Sequence, residues 1–311
     1  MKSRLICEKI LIILKYSGVA PFNMDKTFTI NKNFLYINRI LIAIAVLMLV
    51  IISKPFSVFF ENPSLATFGP AISSLAYNIV IILIIIIAHA NLNGVCQVIN
   101  NIMKSKERLI LMLNKNIQPE MVGLTYSFFA IIESTTLAFI LPIILIDLKE
   151  IYKDVIVVSS FLGYYGACYD FYYIVLILNV YHLFKALNGN IRIVIEKQKE
   201  AYDEERTETE EVEIKLKVLE MIRLLYDECD KILKIVSDID NYFAEINLLI
   251  LSNNMMCMVF TTFFCFTTME VSKYLARMYF FAYFGSFFVV KSVLVLYFPR
   301  ITTSKVSKCL G

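Results

Sequence analysis

Histidine is nearly absent from this chain: among 311 residues there are only two, His89 and His182. No Cys-x-x-Cys pair accompanies them, so the ligand spacing of a structural zinc site is missing. Catalytic signatures are missing too. There is no phosphate-cradling Walker loop, no Gly-x-Ser-x-Gly and no His-Glu-x-x-His. An enzyme is therefore not expected, and no cofactor or metal is implied. A cleavable leader is not expected either. Residues 5–14 are partly apolar, but Glu8 and Lys9 interrupt them and no small-residue cleavage site follows. The spacing of Leu5, Ile6, Ile10, Ile13 and Leu14 instead suits an amphipathic helix on a membrane face.

What the chain has in excess is apolar length. Its mean hydropathy is +0.67 and 58% of its residues are hydrophobic. A water-soluble domain of this size cannot hide that much apolar surface. Crossing a hydrocarbon core takes about 20 mainly apolar residues in a helix. Six stretches qualify: 37–58, 68–90, 122–146, 155–184, 242–269 and 279–299. They must be helical, because a lone strand leaves its backbone groups unpaired in lipid. The expected fold class is an all-α polytopic membrane protein with six transmembrane helices and cytosolic helical extensions.

Basic residues set the direction of threading. Lys2, Arg4, Lys9, Lys15, Lys26 and Lys32 precede the first span. Lys104, Lys106, Arg108 and Lys115 follow the second, and the loop after the fourth is rich in Lys and Arg. The alternate loops are poor, with Lys54, then Lys149 and Lys153, then Lys273 and Arg277. Both termini are thus expected in the cytosol, and an even number of crossings agrees with that. G-protein-coupled receptors, with seven spans and an outside N-terminus, do not fit. None of the seven cysteines falls in an outside loop, so no extracellular disulfide framework is expected. The Asn-x-Ser at Asn62 holds Pro63 in its middle, which blocks glycosylation. The net charge of +3 is accounted for by the inside loops and gives no case for nucleic acid.

The organisation follows: a cytosolic N-terminal segment (1–34), four spans (35–186), a cytosolic helical loop (187–241), two spans (242–299) and a cytosolic tail (300–311). The acidic stretch 203–213 reads as a solvated linker. Beyond it Ile214, Val218, Met221, Leu225, Ile232, Ile235 and Ile239 recur three and four residues apart, one apolar face of a long helix. That helix is expected to run into the span at Tyr242, and the fourth span to continue past His182. Prolonged helices packed together in the cytosol would offer a surface for subunit assembly.

Ionisable groups inside a bilayer are costly and face a cavity or one another. Glu133, Asp170 and Lys291 are such groups, and either cavity lining or pairing of Lys291 with Asp170 or Glu133 would account for them. Thr136, Tyr164, Tyr165, Thr261, Phe264 and Phe287 add hydroxyls and aromatic walls in the outer half. Those chemistries suit a small, partly apolar ligand, although packing alone also employs them.

Two segments resemble the insect gustatory receptor family. Gly18-Val19-Ala20-Pro21-Phe22 is similar to its Gly-x-x-Pro-Phe element. Residues 226–251, with Asn241 and Phe243, look like its polar cytosolic helix followed by Asn, Phe and an apolar span. The resemblance implies a gustatory receptor at the plasma membrane. It would be a subunit of a ligand-gated, non-selective cation channel, assembled as a homo- or hetero-tetramer and answering a small-molecule tastant. It also implies a seventh, pore-lining span with a Thr-Tyr…Gln-Phe signature. Here the sequence PRITTSKVSKCLG, similar to the loop before that span, follows the sixth stretch, so a truncated receptor is expected. A non-conducting regulatory subunit or a membrane transporter are the alternatives.

Overall fold

The computed structural model describes residues 15, 19, 22–24, 28–53, 65–113, 150–203, 208–269, 289, 292 and 293. This part is mostly helical. It opens with a small hairpin, β1 (Phe22–Met24) paired antiparallel with β2 (Phe28–Ile30), in which Phe22 faces Ile30 and Met24 faces Phe28. The all-α expectation did not include this hairpin. Strands of three residues are too short for alternation to show in a sequence.

Helix α1 (Lys32–Ile52) follows at once. Asn31 starts it in two ways. Its carboxamide oxygen accepts the N–H of Asn33 at 3.0 Å, an N-cap, while its amide donates to the Asn23 side chain at 2.6 Å. The same residue therefore caps the helix and fastens it to the hairpin.

Helices α2 (Leu65–Ala90) and α3 (Leu92–Leu113) form a bent pair. The stretches Leu75–Ala90 and Leu92–Met112 meet at 63°. Backbone bonds from Asn91 to Ile87 and from Val95 to Asn91, both 3.1 Å, flank the corner. The segment after the second apolar stretch, expected as a basic loop, is thus a helix. Leu92, Val95, Ile99, Ile102 and Leu109 bury one face of it together with Lys106, while Lys104 is exposed and Arg108 half-buried.

Two very long helices complete the bundle, α4 (Glu150–Asp203, 54 residues) and α5 (Glu208–Met269, 62 residues). At 1.5 Å per residue α5 is about 93 Å long, roughly three times a hydrocarbon core of about 30 Å. Most of it must lie outside any one bilayer crossing. The acidic residues from Glu208 to Glu213 are its first turns and not a linker. Glu211 with Lys215 (2.5 Å) and Glu213 with Lys217 (2.7 Å) pair across one helical turn there, on the exposed side.

The buried seam of α5 reads Val218, Leu225, Cys229, Ile232, Ile239, Phe243, Ile246 and Ile250. Steps of three, four and seven persist across Tyr242 without a shift, as in a coiled coil. Leu183, Leu187 and Val194 of α4 are buried with it. Only residues 204–207 separate the two helices, so they run antiparallel and pack on each other. α2 and α3 pack on both, and α1 packs on α2 and α4.

Candidate functional site

Aromatic rings from two distant segments meet the ring of Tyr172 in α4. Phe22 of β1 lies 6.5 Å from it, centroid to centroid. Phe243 of α5 meets it edge-on at 6.0 Å and 78°, and also touches Tyr173 at 5.3 Å. Edge-on pairs place a positive ring rim against a negative face, which adds to area burial. Val19, Phe22, Tyr172 and Phe243 are all buried. The hairpin is held here by α3. Asn100 accepts the N–H of Phe28 at 2.7 Å and donates to its carbonyl at 2.8 Å, acting as a neighbouring strand would. The Cys96 thiol donates to that carbonyl too, at 3.1 Å. Burial pushes the Cys96 thiol pKa up.

The corner between α2 and α3 is fitted against the start of the apolar half of α5. Asn91 donates to the Tyr242 carbonyl at 3.4 Å. The ring of Tyr242 lies over the backbone of Gly94, in the space a β-carbon would occupy. A cavity of about 10 Å³ remains beside it, lined by Asn91, Val95, Tyr169, Tyr172, Tyr242 and Phe243 among others.

Two residues before Asn91, His89 donates from Nδ1 to Asn38 Oδ1 at 2.8 Å, because a carbonyl oxygen can only accept. Asn38 is buried and its side chain also bonds the Tyr169 hydroxyl. A polar link thus joins α1, α2 and α4. Tyr173 bonds Asn247 similarly, between α4 and α5.

Further along α3 a carboxylate is buried. Glu228 of α5 is 2% exposed. Its Oε1 forms an ion pair with Arg108 of α3, 3.0 Å from Nε, and accepts a hydrogen bond from Lys231 Nζ at 2.9 Å. Arg108 is further steadied by Ser105, at 3.3 Å.

The outer surface carries apolar stripes. Ile40, Ile44 and Leu47 of α1 are exposed at steps of four and three. So are Ile79, Leu83 and Ile86 of α2, and Leu248, Met255 and Val259 of α5. Such faces are stable in lipid and unfavourable in water. Among the described residues Cys168–Glu196 is the single unbroken stretch long and apolar enough to cross a membrane, and the bent pair α2–α3 passes the same test as one unit. A different stripe marks the polar half of α5, where Val212, Leu216, Leu219, Ile222 and Tyr226 are exposed.

Of the residues nominated for ligand contact, two have described side chains. Tyr165 and Asp170 are both buried in α4. Tyr164 lies in α4, and Thr261 and Phe264 in α5, as helical positions. Glu133, Thr136, Phe287 and Lys291 lie outside the described residues, as do the stretches 122–146 and most of 279–299. Sequence reasoning did not single out Asn38, Asn91, Asn100 or Glu228. Their signal was a polar residue at a position the helical period assigns to the interior, which charge counting passes over. Among the described residues no group of His, Cys, Asp and Glu could hold a metal ion.

The family described as 7tm Chemosensory receptor matches residues 10–308 of this chain. No curated protein matches it.

Proposed function

The chain belongs to the 7tm chemosensory receptor family, and from that membership we propose that it is a gustatory receptor, one subunit of a ligand-gated, non-selective cation channel. Membership itself makes it a multi-pass membrane receptor for a small molecule and not an enzyme. In the proposed reading the chain threads the bilayer six times, through 37–58, 68–90, 122–146, 155–184, 242–269 and 279–299, from a cytosolic N-terminus. In that reading helices α1, α2, α4 and α5 would supply the first, second, fourth and fifth crossings.

The observation that carries this reading is the change of character along α5. Its C-terminal half exposes Leu248, Met255 and Val259, an apolar stripe that would face lipid. Its N-terminal half exposes charged residues together with Val212, Leu216, Leu219 and Tyr226. In the cytosol that second stripe is the surface on which homo- or hetero-tetrameric neighbours would pack, since exposed apolar faces of this length favour association. The tastant would enter the outer half of the subunit. Glu133, Asp170 and Lys291 would supply charge there; Thr136, Tyr164, Tyr165, Thr261, Phe264 and Phe287 would supply walls and hydroxyls.

The test is electrical. The chain, expressed alone and with related receptor subunits, is challenged with sugars, bitter compounds and CO₂ while cation current is recorded. A ligand-evoked current that shifts its dose response when Asp170 or Tyr165 is substituted supports the reading. Silence in every combination, with surface expression confirmed, rejects it. Co-purification with a related subunit whose own current it alters, without current alone, would point to the regulatory alternative.

A further inference from the structure

We infer that the cavity at the α2–α3 corner is a hydration site that holds one ordered water molecule, and that this water bonds the Tyr172 hydroxyl to the corner. Three observations converge on it. The cavity measures about 10 Å³, at the lower edge of what a single water needs. Tyr172 lines it and is 2% exposed, yet its hydroxyl meets no hydrogen-bond partner among the described residues. A buried hydroxyl without a partner loses the bonds it made in water, so a native interior places one there or admits a water.

The remaining walls supply what such a water requires. Asn91 spends one amide N–H on the Tyr242 carbonyl, over a long 3.4 Å. The same carboxamide carries a second N–H and a carbonyl oxygen. Tyr169 is a second tyrosine on the cavity wall, and its hydroxyl, bonded to Asn38, keeps capacity for a further bond. Two to four polar partners are the usual complement of a buried water. Apolar cavities of engineered proteins stay dry, but this one has four polar side chains on its wall, Asn91, Tyr169, Tyr172 and Tyr242. Seated there, the water ties α4 to the corner at Asn91, where the backbone turns by 63°. It thereby supports a bend at which, among the described residues, one long direct bond links Asn91 to α5.

The experiment uses the purified full chain in detergent. Tyr172→Phe keeps the ring and its contacts with Phe22 and Phe243 and removes only the oxygen. A lowered melting temperature is expected, because the water loses an anchor; an unchanged or raised one overturns the inference, since it means that the hydroxyl was an orphan in a dry void. A bond to some protein group would also lower the melting temperature, so a second substitution separates the two. Val95→Ile pushes a methylene towards the cavity and should expel the water. Its cost is expected in the wild-type background and should shrink in the Tyr172→Phe background, a coupling that a double-mutant cycle measures. Strictly additive shifts overturn the inference. A density map of the purified protein should show a water peak within hydrogen-bond reach of Tyr172 Oη, and an empty cavity at a resolution that shows other waters overturns it as well.

Discussion

Phe22 and Phe243, near opposite ends of the described chain, rest on one ring: Phe22 is 6.5 Å and Phe243 6.0 Å from Tyr172. Each belongs to one of the two short segments that resemble the gustatory receptor family. The first follows Gly18 and Pro21, and the second lies where α5 turns from polar to apolar. Their shared contact gives both a physical reason to exist. The N-terminal hairpin and the fifth apolar stretch are located against α4 by the same aromatic side chain.

That shared ring makes the two substitutions interdependent. Phe243→Ala should cost about 3–5 kcal/mol, and Phe22→Ala a similar amount, by loss of burial and the void left behind. The double variant should cost less than the sum, because either change already loosens Tyr172. Thermal unfolding of the detergent-solubilised single and double variants measures the deficit. Full additivity would show that the ring does not couple them.

Arg108 and Glu228 give a second expectation with a definite order. Arg108→Met leaves a buried carboxylate with Lys231 alone. It should destabilise by about 1–3 kcal/mol, moderated because the guanidinium is partly open to solvent. Glu228→Gln removes the buried charge itself and keeps an acceptor, so its cost should be smaller. Adding Glu228→Gln to Arg108→Met should recover part of the loss. Melting temperatures that fall further in the double variant would contradict a buried ion pair at this point.

Much of this architecture was legible in the residue pattern. Ile214, Val218, Leu225, Ile232 and Ile239 announced the long seam of α5, and the helix does continue through Tyr242. The basic cluster Lys104, Lys106 and Arg108 was legible only as charge. It hid the helix α3, because Ser105 and Lys106 occupy interior positions that a hydropathy reading assigns to solvent. The hairpin was hidden for another reason. Phe28 is held by the Asn100 side chain from far along the chain, and no local signal reports such a bond. At the candidate ligand site, composition could name Asp170 and Tyr165 as groups that require an explanation. It could not say which helices they face, since that depends on how α4 rotates against its neighbours.

Gly94 has a role that its neighbours dictate. The Tyr242 ring occupies the place of a β-carbon, so Gly94→Ala must drive that ring away and reopen the corner at Asn91. A cost of about 1–3 kcal/mol is expected, the usual range for overpacking. Combining it with Tyr242→Ala should bring back part of the stability that Gly94→Ala removes, whereas Gly94→Ala in a loosely packed corner would be neutral or slightly favourable through its higher helix propensity. Surface expression and melting temperature of the three variants decide between these.

Cys96 links the hairpin to alkaline pH. Burial raises its thiol above the ordinary value of 9.0, so the folded protein holds that proton at pH values where the unfolded chain releases it. The sign follows: the contribution to stability is fully present below about pH 9 and is lost as pH rises through the folded value. At pH 8 Cys96 should therefore resist alkylation while exposed thiols react, since the thiolate is the nucleophile. Peptide mapping by mass spectrometry after timed iodoacetamide treatment reads this directly. Cys96→Ser keeps a donor for the Phe28 carbonyl and removes the titration. Its melting temperature should fall less steeply between pH 9 and pH 10.5 than that of the wild type. Rapid labelling of Cys96 at pH 8, at the rate of an exposed cysteine, would mean that the hairpin does not cover it.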